Sequence, residues 1–147
     1  MARNECLIDA PAAEIFSVFA DATTYDHWVV GAKDIRAVDP MWPQVGARFH
    51  HTFGIGPINL KDSTQVLEAE APRHLVLEAR GRPFGVARVE FRLEQAGSKT
   101  RVTMDEVVIR PEFLSLLNPL FAPLTRARNS ETLRRLTRII AERRSSD

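Results

Sequence analysis

One carboxylate in this chain stands where a strand should be apolar. Over Thr100 to Arg110, the period-two alternation of a β-strand puts Glu106 on the same side as Val102, Met104 and Val108. A carboxylate taken out of water there needs a cation or hydrogen-bond donors to offset its lost hydration. Arg128 is the natural candidate, because it falls on the inward phase of a long helical segment near the C-terminus. Such a pair inside a cavity would hold the polar group of an otherwise apolar ligand. A structural ion pair, or a Glu106 that reaches water across a bulge, stays open as the plainer alternative.

His51 is the second candidate. It shares a strand face with Phe49 and Phe53, and an imidazole so placed can move a proton near neutral pH. A lone histidine on an apolar face is, however, more often hydrogen-bonded structure than a catalyst. His50 must point to the opposite side of the strand, so the adjacent pair cannot chelate together. His27 sits beside Trp28, and His74 opens a strand after Pro72, where exposure is expected. No spacing among these histidines matches a metal-ligand pattern, so neither metal nor cofactor is expected. The lone Cys6 has no flanking base and cannot form an internal disulfide. There is no G-x-S-x-G elbow and no phosphate-binding glycine loop; the Gly54-x-Gly56 pair runs into Pro57 and a strand, not a helix.

The elements that must position these side chains are legible as periodicity. Asn4 to Asp9 is a short strand, followed by a helix over Pro11 to Phe19 with Pro11 at its first position. Asp21 caps a second short helix ending near Trp28. Strands follow over Lys33 to Val38, Gly46 to Phe53, Ile58 to Glu70, His74 to Arg80, Val86 to Gln95 and Thr100 to Arg110. The third of these breaks alternation around Lys61 to Gln65, which predicts a bulge or bend. Short turns join the strands, so the sheet is antiparallel. A helix then runs from Pro119 to Arg144, with Asn118 as its cap and Pro123 as a bend. Its apolar stripe is expected through Phe121, Leu124, Leu136, Ile139 and Ile140, with Thr125, Arg128 and Thr132 as a polar middle. That pattern suits a helix anchored at both ends over a cavity.

The 147 residues, read as one domain over 1–147, suffice for a core without disulfides or metal. A net charge of +1 with 44% apolar and 27% charged residues gives no global reason to expect nucleic acid. The arginines at 126, 134, 135, 138, 143 and 144 read as a solvated helix face with no interleaved aromatics to stack bases. No signal segment and no long apolar run is evident, so a cytoplasmic protein without stable membrane insertion is expected. A monomer or homodimer would suit it.

The order strand, two short helices, six strands and long C-terminal helix resembles the helix-grip fold of the START and birch-pollen-allergen-like (SRPBCC) superfamily. The polyketide cyclase/dehydrase-like branch is the nearest in pattern. The stretches that carry the resemblance are IDAPAAEIFSVFADATTYDHW, GARFHHTF, PRHLVLEARG, GSKTRVTMDEVV and ETLRRLTRIIAER. It implies an α+β fold in which a curved seven-stranded antiparallel sheet grips the long helix over an apolar cavity. It further implies a small hydrophobic ligand such as a lipid or polyketide, with the cavity entrance near His27. On this reading Trp28, Phe49, Phe53, Phe91, Met104, Phe121 and Leu124 supply apolar contact, and His51, Glu106 and Arg128 supply orientation. The alternative is a cyclase or dehydratase in which His51 or Glu106 acts as acid or base in the same cavity.

Overall fold

The computed structural model describes residues 2–146, at Ile55 the backbone alone. Strand β1 (Ala2–Ile8) leads into α1 (Ala12–Phe19), a single 3-10 turn (Ala22–Thr24) and α2 (Tyr25–Trp28). Pro11 precedes the first turn of α1, and the Asp21 carboxylate accepts from the Thr23 N–H at 3.1 Å, so both helix starts follow local side-chain chemistry. Six strands come next: β2 (Ala32–Val38), β3 (Arg48–Ile55), β4 (Ile58–Glu70), β5 (His74–Gly81), β6 (Gly85–Ala96) and β7 (Lys99–Arg110). A single turn, α3 (Glu112–Ser115), then leads to α4 (Asn118–Ser145).

All seven strands form one antiparallel sheet in the order β1-β7-β6-β5-β4-β3-β2. Every connection from β2 onward is a meander between neighbours, while the β1 to β2 crossing spans the sheet through α1 and α2. That crossing places the two short helices against one end of the curled sheet. There Phe19, Tyr25, Trp28, Trp42, Phe49 and Phe91 stack with ring centroids 4.7 to 5.9 Å apart. The Phe19 carbonyl accepts from both Tyr25 Oη at 2.8 Å and Trp42 Nε1 at 3.0 Å, so the cluster's polar handles are satisfied internally.

Three details differ from the periodicity. The bulge in β4 lies at Leu67, between the Val66 and Glu68 pairings, and not at Lys61 to Gln65. His74 is not exposed: its ring lies 2.5 Å from a Glu90 carboxylate that Arg88 and Arg92 also surround. Asn118 does not cap α4. Its side chain accepts from the Val108 N–H at 3.0 Å and donates to the Val108 carbonyl at 3.0 Å, imitating a strand partner and bolting the helix start to β7.

The largest correction concerns the phase of α4. The buried residues are Ala122, Asn129, Thr132, Leu133, Leu136 and Ile140, whereas Phe121 and Leu124 are exposed. At about 100° per residue, the buried stripe is centred roughly 60° from the expected one: Thr132, Leu136 and Ile140 lie inward as expected, Ile139 packs at the edge of the core, and Phe121 and Leu124 fall outside. Apolar type misled only in the first two turns of the helix, where Phe121 and Leu124 face away from the packed stripe. Leu136 and Ile140, both in the expected stripe, join Leu133 in the core that contains Ile8, Ile15, Phe91, Val102 and Met104.

Candidate functional site

Between the inner sheet face and α4 lies a cavity of about 440 Å³. Its floor is the aromatic end just described, through Tyr25, Trp28, Phe49 and Phe91. It extends past Phe53, Leu77, Val89 and Met104 to the opposite end of the sheet, where Gly31, Gly54, Gly81, Phe84 and Gly85 line it. Those residues lie in the β5–β6 turn, at the strand ends that flank it and the β3–β4 turn, and just before β2, so the mouth lies at that end. Gly85 is the position where backbone geometry matters most: its φ is +154°, and a Cβ would stand 3.0 Å from the Arg110 carbonyl.

Two polar stations interrupt the apolar wall. At the first, Glu106 projects from β7 and its carboxylate receives a hydrogen bond from Arg128 Nη2 and another from Asn129 Nδ2 at 3.3 Å. Arg128 Nε also donates to Asn129 Oδ1 at 3.4 Å, closing a three-residue cluster. Glu106 is largely covered, while the Arg128 side chain is 42% exposed and so spans from cavity to solvent. Arg128 therefore flanks the buried stripe of α4, and Asn129, only 1% exposed, occupies its centre. Thr132 lies deeper on the same face, where its hydroxyl accepts from the Val30 N–H at 3.2 Å and ties the loop after α2 to the helix.

At the second station His51 is buried between Phe49 and Phe53, with ring centroids 5.5 and 6.1 Å away. Its Nε2 is 3.1 Å from Thr64 Oγ1, and its Nδ1 is buried without a hydrogen-bond partner. Burial holds the imidazole pKa below its ordinary value, despite the nearby Ser63 backbone and Asp62 carboxylate that favour the charged ring. The ring is thus neutral at physiological pH. Asp62 itself is staked to the β5–β6 turn by the Arg82 guanidinium at 2.8 Å and the Arg82 N–H at 2.9 Å. Burial pushes that carboxyl upward, and the Arg82 bonds outweigh it, leaving its pKa lowered.

Of the sequence candidates, Trp28, Phe49, His51, Phe53, Phe91, Met104, Glu106 and Arg128 all line the cavity. Phe121 and Leu124 do not; they belong to an exposed apolar stripe with Leu117 and Leu120 at i, i+3, i+4 and i+7 spacing. His27 lies outside the cavity, its side chain 71% exposed, in a charged groove beside Glu14, Glu131 and Arg138. Asn129 and Thr64 are the site residues the periodicity missed. Thr64 could have been found as the partner of Phe49 once the β3–β4 turn was placed, since directly paired residues share a face. Among the described residues no cluster of side chains could hold a metal ion.

The sequence of residues 2–141 matches the family model described as polyketide cyclase / dehydrase and lipid transport, and the chain belongs to that family. A comparison with curated protein sequences gives no match. Among solved structures, protein NE0264 from Nitrosomonas europaea is similar with a TM-score of 0.75 at 15% identity, covering 97% of this chain and 95% of that one. A protein from Arthrobacter aurescens gives 0.72 at 17% identity over 95% and 85% of the two chains. TTHA0849 from Thermus thermophilus gives 0.66 at 16% identity over 96% and 97%. At these identities the likeness is one of fold, and the fold is the helix-grip arrangement described above.

Proposed function

We propose that this member of the polyketide cyclase / dehydrase and lipid transport family encloses a small hydrophobic molecule between its sheet and α4, as one ligand-binding domain over residues 1–147. The single observation that carries the reading is the cavity: about 440 Å³, inside the ~300–1,000 Å³ range of small-molecule sites. Its wall is mostly aromatic and aliphatic, with polar groups confined to two stations, as expected of a site where apolar burial gives affinity and a few hydrogen bonds give orientation. Glu106, held by Arg128 and Asn129, would engage the polar end of the ligand near the mouth. Native mass spectrometry of the purified protein, followed by displacement of a fluorescent apolar probe, tests this. Retained ligand or probe binding that Ala79→Trp abolishes is the expected result, since Ala79 lines the cavity. Probe binding unaffected by Ala79→Trp would sink the reading.

One observation favours a second reading. His51 is buried, neutral and oriented through Thr64, the state required of a base that takes a proton from a carbon between two carbonyls. In a cyclase or dehydratase of this kind the cavity would fold a poly-β-ketone, and His51 or Glu106 would move the proton. Under that reading His51→Ala or Glu106→Gln abolishes turnover of a poly-β-ketone while the ligand still binds. If both variants turn over at the wild-type rate, it fails.

A further inference from the structure

We infer that the mouth end of this protein is a docking surface for a bilayer bearing anionic phospholipid. From Phe113 to Thr125 the chain carries no charged residue. Within that segment Phe113, Leu116, Leu120 and Leu124 are each between 65 and 80% exposed, and Phe121 is also exposed. On α4 the exposed apolar residues form a stripe at helical spacing, centred roughly 130° around the axis from the stripe that packs on the core. With Leu117 they make six exposed large apolar side chains from one short segment, which exceeds the scattered exposure usual for a protein surface. Asn118 fixes this segment to Val108, which lines the cavity, so the patch is held rigidly beside the mouth. Across the mouth, Phe84 at the tip of the β5–β6 turn is half exposed and lines the cavity as well.

The charges around these apolar tips decide what covers them. Arg110, just before the uncharged segment, is exposed, and Arg82 stands two residues before Phe84 with its side chain 64% exposed even as it holds the buried Asp62; Arg126 falls on the opposite side of α4 from the apolar stripe and takes no part. Glu112 is the exposed acid next to the segment. Apolar tips with the exposed Arg82 and Arg110 beside them match a phospholipid interface, where the tips enter the acyl boundary and the solvent-facing edges of the guanidinium groups reach the phosphates. Docked on a bilayer, the mouth opens onto hydrocarbon, and an apolar molecule passes between membrane and cavity without crossing water. The docking itself concerns the outer surface and does not depend on the cavity reading.

Vesicle flotation with ligand-stripped protein tests the surface alone. The wild type is expected to float with phosphatidylcholine vesicles containing about a third phosphatidylglycerol, weakly with phosphatidylcholine alone, and less as salt screens the arginines. The exposed-face variant Leu116→Ser/Leu120→Ser/Leu124→Ser should lower partitioning by about tenfold or more and the charge variant Arg110→Gln by about fivefold, with unchanged thermal unfolding. Wild-type protein that stays with the soluble fraction overturns the inference, as does a triple variant that floats like the wild type. Sedimentation equilibrium supplies the third arm: a wild-type dimer that the triple variant dissociates would assign the patch to a second copy instead, whereas a monomer supports the lipid surface.

Discussion

Replacing Thr64 by Val removes one oxygen and little else, and it isolates what holds His51 in place. Both residues are buried, at 5 and 7% exposure, and their 3.1 Å contact is the one hydrogen bond either side chain makes among the described residues. His51 Nδ1 already lacks a partner, so Thr64→Val leaves the whole imidazole edge unpaired. Stranding a buried polar group in this way costs about 1–3 kcal/mol. Thr64→Ser keeps the hydroxyl and loses a methyl group, worth about 0.8 kcal/mol. His51→Phe strands the Thr64 hydroxyl, while the double variant His51→Phe/Thr64→Val removes both partners and should cost about 1–2 kcal/mol less than the two single changes together. Urea unfolding of the four proteins at pH 7.5 reads the cycle, and thermal unfolding checks it at about 2–4 °C per kcal/mol for a chain of this length. If Thr64→Val proves no worse than Thr64→Ser and the cycle is additive, the hydroxyl does not orient His51. The base assignment in the second reading would lose its structural support with it.

The lowered His51 pKa sets a pH dependence. As pH falls through about 6.5 the unfolded chain takes up a proton that the folded ring refuses, so stability declines from there down to the folded pKa, and His51→Phe removes that slope in urea titrations. Asp62 acts separately: burial raises its carboxyl pKa, the Arg82 bonds lower it by more, and its contribution is lost only below about pH 4. The corrected phase of α4 is tested by two leucines. Leu136→Ala, at a fully buried position, should cost about 2–5 kcal/mol, whereas Leu124→Ala should stay within about 0.5 kcal/mol; similar losses at both would contradict the packing. Arg128→Met leaves Glu106 with Asn129 alone. It should weaken a ligand held through its polar end by about tenfold in probe displacement, while a ligand held by apolar contact alone would bind unchanged.

Much of this protein is written as local pattern. Alternation in Val86 to Gln95, the proline and aspartate at the two short helix starts, and the short turns between strands require an antiparallel meander closed by a long helix. Glu106 among apolar neighbours and His51 between two phenylalanines stand out for the same reason: side-chain direction along a strand has a period of two, which survives without tertiary context. The phase of α4 survives only in its second half, at Thr132, Leu136 and Ile140. A helix can bury any face its surroundings accept, and Phe121 and Leu124 are apolar whether or not the sheet reaches them. Only the packed structure turns Asn129 inward, leaves Arg128 at the rim, and converts Asn118 from a cap into a strand partner. Thr64 entered the site through cross-strand register, which depends on where the β3–β4 turn falls. The sequence therefore determined the elements and the three charged or titratable residues His51, Glu106 and Arg128 that line the cavity. The tertiary structure decided which helix face meets the sheet, because that choice is made by neighbours far away along the chain.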